Sequence, residues 1–226
     1  MTRPEPLDAL EIETGADPSA SVIWMHGLGA DGRDFVPVVP ELDLPESPTI
    51  RFVFPHAPLR AVTINMGTIL RAWYDMDQAG GELRADESDI RESQAQIELL
   101  IERERGRGIA PAAVVLAGFS QGGAMALHTG LRYPARLAGV LALSCSLPLA
   151  GTLDAEASPA NRDVPIVMAH GVDDPLIPLR RARQSRDWMV ERGYRVTWRE
   201  YPMAHSVCDA EISDIGAWLR EVLGPH

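Results

Sequence analysis

At 226 residues, 46% of them hydrophobic and 23% charged, the chain has the composition of an ordinary globular protein rather than a disordered or fibrous one. It exceeds the ~150-residue prior for one domain but stays within the range that single α/β domains reach, so one domain over residues 1–226 is expected. The formal net charge of −11, with no Lys/Arg cluster to offset it locally, argues against nucleic acid and anionic membrane surfaces as partners.

The first residues, MTRPEPLD, lack the apolar core of a signal peptide, and no apolar stretch approaches the length of a membrane span. A cytoplasmic protein without stable membrane insertion is expected. Residues 22–26 form the first strand-like run, followed by the glycine-rich loop HGLGADG, and residues 50–54 form the second. Residues 55–81 lack clear periodicity and read as loops or short insertions. The first helix spans 86–105, with Ile90, Ile97, Leu100 and Ile101 on one face behind Asp/Ser caps. A strand at 113–117, bounded by Pro111 and Gly118, then hands over to a helix at 121–132 that spaces Ala124, Met125, His128 and Leu131 helically. A strand at 139–143 precedes a Pro/Ala/Gly/Ser-mixed stretch at 144–163, read as a loop beside the active edge. Strands at 164–170 and 195–201 follow, and a last helix carries Ile212, Ile215, Leu219 and Val222 on one face.

Alternating β and α elements imply an α/β fold, a mainly parallel central sheet with helices on both faces. Such sheets place ligand sites at the carboxyl ends of their strands. Three polar loops converge there: the one after Met25, the one after Ala117 and the one after His170.

The loop after Ala117 holds Ser120 in GFSQG, a serine between glycines at a strand-to-helix turn. Such a turn forces the serine into strained backbone geometry, and the glycines let neighbouring elements approach. A serine hydroxyl is a weak nucleophile until a base takes its proton, and the base needs an orienting third group. Downstream, HGVDDP follows one strand and YPMAHS the next, in the order serine, carboxylate, histidine. Asp173 and Asp174 both sit on the carboxylate loop. Asp174 is preferred because Pro175 restricts it to extended conformations. Among six histidines, His205 alone occupies a post-strand loop ahead of the last helix. His26 and His170 sit at strand ends, where their rings are expected to hydrogen-bond loop backbone; His56 and His128 lack that context, and His226 is terminal. Acyl transfer also needs donors for the developing oxyanion, and the backbone N–H groups of Gln121 and Leu28 are in the places expected of them. The loop around Leu28 lacks the Lys-Ser/Thr of a P-loop and the GxGxxG spacing, which argues against nucleotide binding. Cys145 and Cys208 form neither a CxxC pair nor a dense framework, so reduced thiols are expected and a disulfide scaffold or structural zinc is not.

Taken in order, VIWMHGLGADG, RFVFPHAP, RAWYDM, GFSQGG, HGVDDPLIP and YPMAHSV resemble the carboxylesterase and acyl-protein thioesterase family of α/β-hydrolases over residues 22–223. The resemblance implies Ser120 as nucleophile, Asp174 as acid, His205 as base and Leu28 and Gln121 amides as the oxyanion hole, with no metal or cofactor. It further implies hydrolysis of small-molecule carboxylic esters of small to medium acyl chains, with acyl-protein thioesterase as the alternative. A non-catalytic binding protein on the same fold and a dienelactone-type hydrolase are weaker readings, given the complete serine, acid and histidine set and a serine rather than cysteine in the elbow. Trp73, Tyr74 and Asp75 match the family segment near its acyl groove, with packing as their other role. Met66, Ile69 and Leu70 are candidates to line an apolar acyl site, core packing being the commoner use of such residues, and exposed apolar residues near the cleft are compatible with a homodimer.

Overall fold

The computed structural model describes residues 6–79 and 82–224; the N-terminal residues 1–5 and His226, both part of the reading above, lie outside them. The expected strands and helices form, with ends displaced by a residue or two. In chain order they are β1 (Ala9–Glu13), β2 (Ala20–Met25), β3 (Ile50–Pro55), the hairpin strands β4 (Leu59–Val62) and β5 (Thr68–Arg71), and a second hairpin of β6 (Met76–Ala79) and β7 (Glu82–Ala85). Helix α1 (Glu87–Gly106) leads to β8 (Val114–Phe119), α2 (Gln121–Arg132), β9 (Gly139–Leu143) and α3 (Ala150–Glu156). The chain closes with β10 (Ile166–Gly171), α4 (Leu179–Glu191), β11 (Val196–Tyr201) and α5 (Asp209–Leu223).

Seven strands form one sheet in the order β1-β3-β2-β8-β9-β10-β11, parallel throughout except for β1 at the edge. Every residue of β2, β9 and β10 is buried, because helices cover both faces of a parallel sheet. Successive side chains alternate between the two layers. Ile23 and Met25 join Leu116 and Val140 under α1 and α2, whereas Val22 and Trp24 join Phe52, Phe54 and Leu141 under α5. Helix α1 starts as expected, with the Asp86 side chain accepting from the Asp89 N–H at 3.0 Å.

The sequence reading does not place β1, strands β4 to β7, α3 or α4. Strand β1, ALEIE, alternates too briefly to stand out; it pairs antiparallel with β3 and packs Ala9, Leu10 and Ile12 on the core. The stretch at 55–81 contains the β4–β5 hairpin and strand β6 rather than plain loop, and 144–163 contains α3. Their stability comes from pairing and packing that no periodicity records.

Helix α5 packs so closely on the chain at Leu42 that a Cβ on Gly216 would come within 2.0 Å of the Leu42 carbonyl oxygen. Its third residue, Glu211, is fully buried, and burial pushes its carboxyl up to about 8, with the Cys208 backbone N–H offsetting part of the rise. Between the ordinary glutamate value of 4.5 and about 8, the folded protein keeps a proton that the unfolded chain has released. Stability therefore falls as pH rises through that window. Thermal melts across it are expected to show this decline, and Glu211→Gln, which cannot ionise, to remove that share of the slope.

Candidate active site

The strand-to-helix turn after β8 is as sharp as its sequence requires. Ser120 has φ 55° and ψ −120°, outside the regions that L-residues normally occupy. Its backbone N–H is anchored to the Leu143 carbonyl at the end of β9, 2.8 Å away. The flanking glycines are sterically compelled. A Cβ on Gly118 would lie 2.2 Å from the Gly122 carbonyl carbon, and one on Gly122 would lie 2.2 Å from the Met25 carbonyl oxygen. This crowding draws the end of β2 against the start of α2, so the loop after β2 runs beside the serine; a Cβ on Gly27 would stand 3.4 Å from that of Ser120.

Ser120, Leu28, Gln121 and His205 share the wall of one cavity of about 430 Å³, within the usual size range of small-molecule sites. Gln121 is the first residue of α2, where N–H groups have no intrahelical acceptor. Neither its N–H nor that of Leu28 donates a hydrogen bond among the described residues. The helix N-terminus adds its partial positive charge at the same place.

The other two loops meet across the sheet edge. Asp174 is buried, and its Oδ1 accepts from the N–H groups of Leu176 and Ile177, each at 2.9 Å. Its Oδ2 lies 2.7 Å from His205 Nδ1, so the imidazole's Nδ1–H donates to the carboxylate. Asp173 is exposed. Gly171 permits this meeting, since a Cβ there would sit 2.3 Å from the carbonyl oxygens of both Met203 and Ala204 in the histidine loop. His170 donates from Nε2 to the Ile177 carbonyl at 2.8 Å and stands 3.4 Å from Asp174 Oδ2. The Phe119 ring packs on His205 with centroids 4.7 Å apart.

The remaining histidines are held elsewhere. His26 binds loop backbone as expected, through Gly27 and Ala57, and burial lowers its pKa to about 4. His128 bonds Gln94 and is lowered to about 3, again by burial. His56 accepts from the Gly32 N–H at 3.1 Å.

Trp73, Met66 and Ile69, expected at the acyl site, are not on the cavity wall. Trp73 is fully buried beneath it, donating from its indole N–H to the His26 carbonyl at 2.8 Å. Met66 is 97% exposed beyond the β4 end of the first hairpin, in left-handed backbone geometry. Ile69, 67% exposed, and Leu70 border a shallow depression outside the cavity. The apolar wall comes instead from Ile64, Met76, Leu83, Ala124, Leu176 and Ile177, with Tyr74, Phe119, Cys145 and Ser146 beside them. Of these, Tyr74 lies in the segment singled out by sequence and Leu176 and Ile177 follow the predicted acid. Met76 closes the RAWYDM motif, whereas Leu83, on the partner strand of the same hairpin, carries no sequence signal. Burial pushes the Cys145 thiol well above its ordinary range, so it is held as an un-ionised thiol. Among the described residues, no group of three His, Cys, Asp or Glu is placed to hold a metal ion.

A strained serine elbow, an Asp–His pair and a cavity at the carboxyl edge of a parallel sheet are the arrangement of an α/β-hydrolase. Residues 7–223 match the phospholipase/carboxylesterase family model. The chain belongs to that family and is a serine hydrolase. It is 38% identical over 216 residues to acyl-protein thioesterase 1 of Gibberella zeae, covering 92% of each chain. It is 33% identical to acyl-protein thioesterase 1 of Cryptococcus neoformans, covering 97% of this chain and 99% of the relative. Among solved structures, Arabidopsis thaliana SOBER1 superposes with a TM-score of 0.84 at 29% identity, covering 90% of this chain and 99% of its own. Zea mays acyl-protein thioesterase 2 gives 0.83 at 26% identity, covering 96% and 99%.

The strain at Ser120 is measurable. Ser120→Gly, which relieves the positive φ, is expected to be more stable than Ser120→Ala by about 1 kcal/mol, the strain relief exceeding glycine's entropic cost. Urea denaturation of the two variants checks the difference.

Proposed function

We propose that the protein hydrolyses carboxylic esters of small to medium acyl chains through an acyl-enzyme on Ser120, acting as a single catalytic domain. The observation that carries this reading is the 2.7 Å contact between Asp174 Oδ2 and His205 Nδ1, with His205 facing the cavity that holds Ser120. That contact leaves Nε2 as the unprotonated nitrogen of the imidazole and thus the base. His205 Nε2 takes the Ser120 hydroxyl proton as Oγ attacks the ester carbonyl, and Asp174 orients and balances the imidazolium that forms. The N–H groups of Leu28 and Gln121 receive the oxyanion. Collapse of the tetrahedral adduct breaks the bond to the alcohol, which takes the proton from His205. Water, deprotonated by the same histidine, then releases the acid. This route needs no metal or cofactor.

The apolar wall of Ile64, Met76, Leu83, Leu176 and Ile177 supports an acyl chain as the group held. The names of the fungal relatives favour a second reading, cleavage of acyl thioesters on proteins, by the same steps with a thiol leaving. No helix among the described residues is long and apolar enough to cross a membrane, and both cysteines are free, which supports a cytoplasmic setting.

Ser120→Ala is expected to abolish labelling by a fluorophosphonate probe; retained labelling would overturn the assignment of the nucleophile. Asp174→Asn is expected to lower kcat by about 10⁴ and Asp173→Asn to leave it near wild type, measured on p-nitrophenyl butyrate. Comparing kcat/KM for that ester with that for a palmitoylated peptide thioester separates the two readings. A higher value for the thioester would select the second.

A further inference from the structure

The two proposed oxyanion donors lie far apart in sequence, on different loops, yet must converge on one oxygen. A continuous buried chain of hydrogen bonds connects them. Gln121 Oε1 accepts from the Trp73 backbone N–H at 3.0 Å, and Gln121 Nε2 donates to the Tyr74 carbonyl at 2.9 Å. The Trp73 indole N–H donates to the His26 carbonyl at 2.8 Å. His26 Nε2 accepts from the Ala57 N–H at 3.0 Å. An accepting Nε2 places the ring proton on Nδ1, which therefore donates to the Gly27 carbonyl 2.7 Å away.

The last of these bonds matters most. The Gly27 carbonyl and the Leu28 N–H belong to one planar trans peptide and point in opposite directions. Fixing the carbonyl toward His26 therefore turns the Leu28 N–H the other way. We propose that His26, braced by Trp73 and Gln121, is a positioning residue that holds the Leu28 N–H toward the oxyanion. This rests on the reading of Leu28 and Gln121 as the oxyanion donors. Burial lowers the His26 pKa to about 4, with His56, Asp31 and Arg71 as its charged neighbours, so the ring keeps one neutral form at working pH. A fixed donor orientation needs no reorganisation when charge develops.

The experiment compares His26→Leu, which removes both ring bonds, with His26→Asn, whose Nδ2–H reaches the place of the ring Nδ1–H. For His26→Leu, kcat on p-nitrophenyl butyrate is expected to fall about 10²-fold. KM is expected to stay within about threefold. Affinity for a trifluoromethyl ketone, which forms a tetrahedral oxyanion on the serine, is expected to weaken by a similar ~10² factor. His26→Asn is expected to recover most of both losses. An unchanged kcat, unchanged ketone affinity, or equal impairment of the two variants would overturn the proposal. Because His26→Leu alters a buried site, nitrogen NMR of the wild-type imidazole provides an independent check. The Nδ1–H tautomer, neutral at pH 7, is expected; an Nε2–H tautomer or a charged ring overturns it. Loss of fluorophosphonate labelling in wild type would instead remove the esterase reading, whatever the His26 tautomer.

Discussion

The structure depends on a steric constraint at the junction of β8 and α2. Ser120 occupies a conformation that L-residues avoid, and it stays there because the chain on either side has nowhere else to go. Gly118 and Gly122 are back to back, and Gly122 touches the carbonyl at the end of β2, with no space for a Cβ at either position. The serine, the first turn of α2 and the loop after β2 are thereby brought to one point. Strain at the serine is balanced by the burial of α2, every residue of which is buried between the sheet and its covering helices.

Burial then sorts the histidines by role. His26 and His128 are enclosed and kept neutral, because an imidazolium in their places would lose its hydration without an adjacent carboxylate to replace it. His26 serves as a fixed donor and acceptor between loops, and His128 donates from Nε2 to Gln94 between α2 and α1. His205 differs in having a buried carboxylate on one side and the cavity on the other. Asp174 can hold it because two backbone N–H groups and a nearby His170 fix the carboxylate's own direction. The same imidazole chemistry thus yields structural clamps where it is sealed and, in the proposed mechanism, a proton carrier where one side faces the cavity.

The apolar wall of the cavity follows a different logic. Apart from Ala124 on α2, Phe119 at the end of β8 and Tyr74 between the hairpins, its residues come from two hairpins, the acid loop and the loop after β9, none of which contributes a long periodic pattern. Met66 and Ile69 have the composition of acyl-site residues but project outward, since each lies on a hairpin whose inward face is set by strand pairing. Trp73 illustrates the opposite case: a large aromatic in the right segment is drawn under the floor, where its N–H finds a buried carbonyl.

The amino-acid sequence by itself determined the alternating βα order, the serine elbow and the succession of serine, carboxylate and histidine. All of these rest on local signals: apolar runs, helical spacing, glycines where a turn is tight, and a proline after the acid. It also placed Leu28 and Gln121 on loops that meet beside Ser120, because those positions are defined relative to strand ends. Pro175 already favoured Asp174 over Asp173, and the contact with His205 agrees with it; only the tertiary structure decided that Trp73 braces rather than lines the cavity, and which side chains make its apolar wall. Those outcomes depend on which face of a loop is covered by another element, and nothing local to Trp73, Met66 or Ile69 specifies what will cover it.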